Sequence, residues 1–249
     1  MTLSEDRLRE RLAPRAVRFY PQVESTNDLA MEWLQQGAVS GAVVVADEQS
    51  KGRGRLGRTW HTPPGVSLAV SMILRPRPEH LPQVTMLGAL AIHDMLVGLG
   101  LAKTGIKWPN DVHINRRKVS GVLAEAAWTG DKLAGVVLGM GINVRADFSG
   151  SNLAQQAISI EPALGRAVDR VDLLVDLLAR ADVWAEQLGT KTLFTAWQSR
   201  LVTLGQTVTY GGLTGTAELV TPDGALSIRT GDGQLYRVFA GDVVVEDGS

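Results

Sequence analysis

The character of the sequence changes after Leu204. From Gly205 to Ser249 the chain is rich in Val, Thr and Gly, and it carries turn signals at YGG, TPDG and GDG. Four or five short strands in this segment predict a small β barrel. The residues before Leu204 mix strand patterns with helix patterns. We therefore predict an α+β chain with a mixed β-sheet, flanking helices and a β appendage.

These patterns divide the chain into three units: a polar N-terminal segment (1–15), a large α+β domain (16–203) and the barrel (204–249). Periodicity predicts helices over 2–12, 26–36, 82–99, 171–188 and 193–201. It predicts strands over 42–46, 66–74, 106–108, 112–114, 119–127 and 132–144.

Local signals mark several helix ends. Ser25, with Asp28 three residues on, has the spacing of a capping box for the helix over 26–36. Gly37 is a C-terminal stop signal, and Asp169 is placed to cap the helix over 171–188.

Composition excludes several classes of protein. Apolar residues make up 45% and charged residues 20%, which is typical of a globular protein, and the formal net charge is -1. Near-neutral charge gives no global attraction to nucleic acid or membranes. The absence of cysteine excludes disulfides and thiolate zinc sites. We see no secretory signal and no apolar run long enough for a membrane span, so the cytoplasm is the expected compartment.

The most unusual stretch runs from Gln49 to Trp60, QSKGRGRLGRTW, in which three glycines alternate with basic residues. Glycine allows close approach of backbone to a ligand, and arginine offers forked donors that suit phosphate oxygens. The stretch predicts a basic loop that closes over an anion and excludes water.

Other interpretations of this loop remain open or are excluded. It could be a solvated surface loop or a short Arg-Gly segment that binds RNA. A P-loop is excluded, because GxxxxGK[ST] does not occur. GRGRLG matches GxGxxG formally, but Pro63, Pro64 and Gly65 follow in place of a helix, so a dinucleotide fold is rejected.

Two further segments carry polar chemistry. KWPND at 107–111 is followed by RKVSGVLAE at 117–125, so two lysines could converge on one anion, with Asp111 beside a magnesium ion or a water. An ordinary hairpin with surface lysines is the alternative. GMGIN at 139–143 puts small residues into a strand, which indicates close approach of a ligand or of another backbone, or else a bulge.

Together these motifs resemble biotin–protein ligases. STN, QxxGRGRxGRxW, KWPND, RKxxGxLxE and GxGIN occur in that order from about Ala16 to the end. The resemblance implies a biotin/lipoate-ligase-like catalytic domain followed by an SH3-like barrel. It also implies ATP and Mg²⁺ as cofactors, biotin as substrate, and a biotin carboxyl carrier protein or domain as partner. Too few residues precede the motifs for a winged helix, so we expect the monofunctional type without DNA binding.

The resemblance assigns roles residue by residue. Catalytic roles fall to Lys118, Arg55 and Asp111, with Asp111 also the candidate magnesium ligand. The biotin-binding residues it implies are Ser25, Thr26, Asn27, Gln49, Gly52, Arg53, Gly54, Arg55, Lys118, Gly121, Gly139 and Gly141. The ATP-binding residues it implies are Arg53, Arg55, Arg58, Trp60, Lys107, Asn110, Lys118 and Asn143.

Some points differ between members or stay open. The segment 145–160 contains no tryptophan, whereas some relatives close the adenine pocket with one, and Ala157 or a neighbour could stand there. Relatives often form homodimers, and nothing in this sequence decides the oligomeric state. The rival functions are a lipoate ligase or octanoyltransferase, a non-enzymatic biotin sensor, and an Arg-Gly nucleic-acid binder.

Overall fold

The computed structural model describes residues 3–239 and 241–245. Six helices lie at Glu5–Leu12 (α1), Thr26–Gln35 (α2), Leu81–Gly98 (α3), Ile160–Leu164 (α4), Arg170–Ala185 (α5) and Lys191–Ser199 (α6). Twelve strands lie at Val17–Val23 (β1), Val43–Gln49 (β2), Ser67–Leu74 (β3), Thr104–Lys107 (β4), Asp111–Ile114 (β5), Arg117–Thr129 (β6), Lys132–Asn143 (β7), Thr207–Tyr210 (β8), Leu213–Val220 (β9), Leu226–Arg229 (β10), Leu235–Val238 (β11) and Val244–Val245 (β12).

The first seven strands form one mixed sheet in the order β1-β2-β3-β7-β6-β5-β4. Only β1 and β2 pair in parallel among the strands of this sheet, and the other neighbours pair antiparallel. This agrees with the predicted mixed sheet with flanking helices.

The two faces of this sheet are covered differently. On one face, α3, α5 and α6 bury a large apolar cluster that includes Leu68, Val70 and Met72 of β3. On the opposite face, α2 covers a smaller cluster around Ile73 and Val137. Because α2 is only ten residues long, it leaves the rest of that face uncovered, and the site described below lies there.

The second sheet has the order β11-β10-β9-β8-β12 and is antiparallel throughout, as expected for a small β domain. Buried Trp108, which directly follows β4, connects the two sheets. Its backbone N–H donates to Thr203 Oγ1 at 2.8 Å, just before β8, and its indole Nε1 donates at 2.9 Å to the carbonyl of Gly224, between β9 and β10. The division of the chain at 16 and 204 stays a prediction.

Most predicted elements are present with shifted ends, but β1 and α4 were not predicted. The β1 strand contains Pro21 and polar residues, which weakens any strand pattern, and its position at the sheet edge tolerates a proline. The predicted helix over 2–12 is observed as α1, and Thr2 lies outside the described residues.

The capping predictions have mixed outcomes. Asp169 caps α5, accepting from the Val171 backbone N–H at 2.7 Å. Gly37 follows the end of α2 with a φ of 92°, which a glycine adopts without strain. The capping-box prediction for Ser25 was wrong, because its side chain makes no cap hydrogen bond. It lines a cavity instead.

The central helix corrects one expectation about apolar segments. Pro78–Gly98 is long and apolar enough to cross a membrane by length and composition, with a mean hydropathy of 1.2. However, 61% of its most apolar window is buried within the protein. A buried core helix of a globular domain can be equally long and apolar. The α3 helix packs against α5 and α6.

A buried ion pair joins α5 to the sheet. Arg170, 1% exposed, donates to Asp47 of β2 and to the Ser67 carbonyl at 3.0 Å. The same Asp47 carboxylate accepts from the Gly65 backbone N–H, where the basic loop returns to the sheet. This arginine therefore connects α5 with one end of that loop.

We predict that Arg170→Met lowers the free energy of unfolding by about 3 kcal/mol, because it leaves the Asp47 carboxylate without its partner. Urea denaturation measures this. Arg180→Met is the matched control on the same helix: it removes only a half-exposed pair with Asp176 and should cost less than about 1 kcal/mol. Equal losses in both variants would contradict the role given to Arg170.

Candidate active site

The site is a hollow on the α2-side face of the large sheet. At successive positions of that face β3 carries Ala69 and Ser71, and their partners on β7 are Gly141 and Gly139. Small side chains leave space there, and the resulting cavity has a volume of about 1350 Å³. Its lining includes the predicted residues Ser25, Thr26, Asn27, Gln49, Arg53, Gly54, Arg55, Arg58, Trp60, Lys107, Asn110, Asp111, Lys118, Gly121, Gly139, Gly141 and Asn143.

One end of the cavity is lined by neutral hydrogen-bonding groups at the start of α2. Thr26 donates to Gln49 Oε1 through its backbone N–H at 2.8 Å and through its hydroxyl at 3.0 Å. The Ser71 hydroxyl lies 2.7 Å from Thr26 Oγ1 and 2.6 Å from Asn27 Oδ1. Ser25 is 3% exposed. These groups suit a neutral polar ring.

Besides its contact with Ser71, the Asn27 side chain contacts Glu125 and Gly139. Its Nδ2 donates to Glu125 Oε2 at 2.5 Å. A Cβ added to Gly139 would lie 2.3 Å from Asn27 Oδ1, so the amide packs directly on bare backbone. The close approach predicted for Gly139 is therefore made by a side chain of the protein.

The other end of the cavity is cationic. Lys118 Nζ lies 2.7 Å from Asp111 Oδ2, and both groups face Gly121, where an added Cβ would lie 3.3 Å from that Nζ. Arg55 donates to Asn110 Oδ1 at 3.1 Å. Burial lowers the pKa of Arg55 from its usual value, and Asp242 and Asp111 oppose this shift. Two cations that line one end of the same cavity form a place for anionic oxygens.

The basic loop is folded as an irregular hairpin. Gln49 pairs with Thr62 and Arg53 with Thr59, and the Trp60 backbone N–H donates to the Gly52 carbonyl at 2.8 Å. A Cβ on Gly52 would lie 2.4 Å from the Trp60 carbonyl oxygen, so only glycine permits this approach. The residues of the loop are thus ordered against each other over the cavity.

Two arginines of the loop are held by carboxylates. Arg53 binds Asp28 at 2.7 and 2.6 Å and lies 3.4 Å from Glu125 Oε1. These carboxylates raise the pKa of Arg53, and the Asp28 hydrogen bond makes the largest contribution. Arg58 pairs with Asp242, which precedes β12 in the C-terminal sheet. An anion would have to compete with these partners for either arginine.

Trp60 forms a wall over β7. A Cβ on Gly141 would lie 2.5 Å from Trp60 Cε2 and Nε1, so the indole packs on that glycine. Lys118 Nζ lies 5.6 Å from the centre of the ring, within cation–π distance. The indole Nε1 is buried and has no hydrogen-bond partner in the described part of the chain.

The segment 145–160 closes a further side. Lys118 pairs with Ala157, as its backbone N–H donates to the Gln156 carbonyl at 2.7 Å. Asn143 is 5% exposed and donates to the Ile158 carbonyl at 3.3 Å. Phe148 also lines the cavity, and it is the aromatic side chain of this segment, which has no tryptophan.

The lining or supporting residues that were not singled out from the sequence include Ser71, Glu125, His113 and Phe148. The alternation of β3 could have indicated Ser71, and Glu125 ends the RKxxGxLxE motif. Burial lowers the pKa of His113 to about 4, so this imidazole is neutral near pH 7. No sequence pattern indicated that shift.

No three His, Asp or Glu side chains of residues 3–239 and 241–245 gather in a way that could hold a metal ion. Asp111 is the carboxylate nearest the cationic end, and it is already paired with Lys118. A magnesium ion that draws most of its ligands from phosphate oxygens and water fits such a place, whereas a cage made of protein ligands alone does not.

The comparisons with known proteins agree with this geometry. The chain matches the Biotin/lipoate A/B protein ligase family over residues 19–143. It is 35% identical to a biotin–[acetyl-CoA-carboxylase] ligase of Paracoccus denitrificans over 225 residues, which cover 84% of this chain and 92% of that one. It is 31% identical over 232 residues to the bifunctional ligase/repressor BirA of Bacillus spizizenii, covering 89% of this chain and 71% of the relative.

A solved structure supports the same assignment. The biotin protein ligase from Aquifex aeolicus, in complex with biotin and ATP, superposes with a TM-score of 0.78 at 27% identity and covers 94% of this chain and 99% of its own. The sequence matches, the shared fold and the cavity show that the chain belongs to the biotin/lipoate A/B protein ligase family and, within it, to the biotin–protein ligases.

Proposed function

We propose that the chain activates biotin with ATP as biotinyl-5′-AMP and transfers the biotinyl group to a lysine of a biotin carboxyl carrier protein or domain. One observation carries this proposal: a single cavity joins a neutral hydrogen-bonding end at Ser25–Asn27 to a cationic end at Arg55 and Lys118. Biotin has the same two ends, a neutral ureido ring and a carboxylate.

In the first step, a carboxylate oxygen of biotin attacks the α-phosphorus of ATP, and pyrophosphate leaves. Two anions must come together, so the main task of the protein is to stabilise charge. We assign Lys118, which lines the cavity, to contact both the carboxylate and the α-phosphate. Arg55, whose partner is the neutral amide of Asn110, can turn to the phosphate without breaking an ion pair with a carboxylate.

We assign Asp111 and Asn110 to the place where Mg²⁺ would be held, together with the ATP phosphates. When bound, the ion neutralises the charge of the leaving pyrophosphate. The Asp111 carboxylate is shared with Lys118, so it also positions the Lys118 ammonium group beside the cavity.

In the second step, the neutral amine of the acceptor lysine attacks the acyl carbon of the mixed anhydride, AMP leaves, and the amine loses a proton. Asp111, with its side chain 18% exposed, is the candidate to position that amine or accept its proton. The partner is proposed as a carrier domain of a carboxylase. Its recognition, the absence of DNA binding and a cytoplasmic location stay predictions.

The direct test is incubation with ATP, Mg²⁺, biotin and a biotin carboxyl carrier domain, followed by mass measurement of the acceptor. The proposal expects one added biotinyl group per acceptor lysine. Lipoate replaces biotin in a parallel reaction, since the family also includes lipoate ligases. Addition of lipoyl and not biotinyl would contradict the proposal, and so would biotin binding without any transfer.

We predict that Lys118→Ala reduces biotin-dependent ATP–pyrophosphate exchange by about 100-fold or more, because it removes a charge that stabilises the transition state. Lys132→Ala, at an exposed position at the start of β7, is the control and should exchange like the wild type. An exchange rate of Lys118→Ala close to that of the wild type would rule out this role.

We predict that Arg55→Gly still forms biotinyl-5′-AMP but releases it, because the loop loses its contact with the phosphate. The measurement is labelling of bystander proteins, which should rise severalfold above the wild-type level. Lys51→Gly serves as the control, since Lys51 belongs to the same loop but is exposed and pairs with Glu24. Bystander labelling no greater than that of the control would contradict the assignment.

A further inference from the structure

Glu125 joins the neutral end of the cavity to the basic loop. It lies on β6 opposite Val137, on the sheet face that α2 covers. Its carboxylate accepts from Asn27 Nδ2 at 2.5 Å and lies 3.4 Å from Arg53 Nη2. The steps of the proposed reaction do not use this side chain.

We propose that Glu125 is a positioning residue that fixes the orientation of the Asn27 carboxamide, so that Asn27 offers an N–H and not a carbonyl to the ligand. The inference rests on the proposed function, because it concerns how the same pocket selects the ureido group of biotin.

The hydrogen-bonding polarity of the neighbours sets this orientation. An ionised carboxylate can only accept, so the atom of Asn27 that faces Glu125 must be the nitrogen. The opposite atom, Oδ1, lies 2.6 Å from the Ser71 hydroxyl, which can donate to it. A flipped amide would place its oxygen against the carboxylate and leave its nitrogen facing that hydroxyl.

The packing around Asn27 restricts rotation of its amide. The amide lies against the backbone of Gly139, where even a Cβ would come within 3.0 Å of Nδ2 and 2.3 Å of Oδ1. Asn27 is 6% exposed. The carboxamide therefore has two main orientations, which exchange the positions of Oδ1 and Nδ2. Glu125 favours the orientation in which Nδ2 faces its carboxylate.

The selected state has a consequence for specificity. An amide nitrogen has two hydrogens, and Glu125 accepts one of them, which leaves the second for the cavity that Asn27 lines. The pocket then favours a ligand that presents an acceptor at this position, as the ureido carbonyl oxygen of biotin does.

Arg53 supports Glu125 from the loop side. Its guanidinium binds Asp28 with two hydrogen bonds and extends to both oxygens of Glu125, at 3.4 and 3.5 Å. The same contacts link the first turn of α2 to the basic loop.

The test is calorimetric binding of biotin and of 2-thiobiotin, in which sulfur, a poor acceptor, replaces the ureido oxygen. Glu125→Gln allows both amide states, because glutamine both donates and accepts. We expect its Kd for biotin to rise about tenfold while its Kd for 2-thiobiotin changes much less, so that discrimination between the two ligands falls. Glu24→Gln is the matched control: it removes a carboxylate that pairs with Lys51 of the same loop, away from the cavity.

A parallel weakening of both ligands would show a general structural role and overturn the inference, as would unchanged discrimination. Ser71→Ala is a second test: because it removes the donor to Asn27 Oδ1, it should also reduce the discrimination between biotin and 2-thiobiotin. The two proposals fail differently. If the wild-type protein does not bind biotin, the proposed function falls and this inference with it, whereas normal discrimination in both variants defeats only the role of Glu125.

Discussion

The site depends on how residues alternate along two neighbouring strands. On β3 the positions that face α3 are large, as at Leu68 and Met72, whereas those on the opposite face at the cavity are Ala69 and Ser71. Their partners Gly139 and Gly141 carry no side chain at all. Because successive side chains of a strand point to opposite faces, one pair of strands supplies both a packed core and a floor of bare backbone on which Asn27 and Trp60 pack.

The charges around the cavity are largely compensated within the chain. Lys118 is paired with Asp111, Arg53 with Asp28, and Arg58 with Asp242. This agrees with a net charge of -1 in a protein that must attract anions only locally. Arg55 differs, because it is partly buried and bonds to a neutral amide. Its charge is therefore the least compensated of the loop arginines, which suits its proposed role in retaining the acyl-adenylate.

The sequence predicted the fold class, most elements and many of the residues that line the cavity, because ordered motifs and strand or helix periods are local patterns. What it missed depends on contacts between distant segments. Pro21 argued against a strand at β1, because a proline is tolerated in a strand mainly at the edge of a sheet, and the sequence does not show that β1 is an edge strand. Ser25 was predicted to cap a helix, but it lines the cavity. Arg53 pairs with Asp28, and Ser71 contacts Asn27. Neither contact can be predicted without knowing that α2, β3 and the loop lie next to one another.

The bare backbone at Gly139 makes room for Asn27 and hence for the proposed binding of biotin. The most direct measurement is the Kd for biotin of Gly139→Ala, compared with Gly231→Ala, where an added Cβ meets nothing within 4 Å. Urea denaturation confirms that both variants fold. We expect Gly139→Ala to bind biotin at least about tenfold more weakly, since the new methyl group displaces the Asn27 amide, while Gly231→Ala binds like the wild type. Wild-type affinity in a folded Gly139→Ala protein would contradict it.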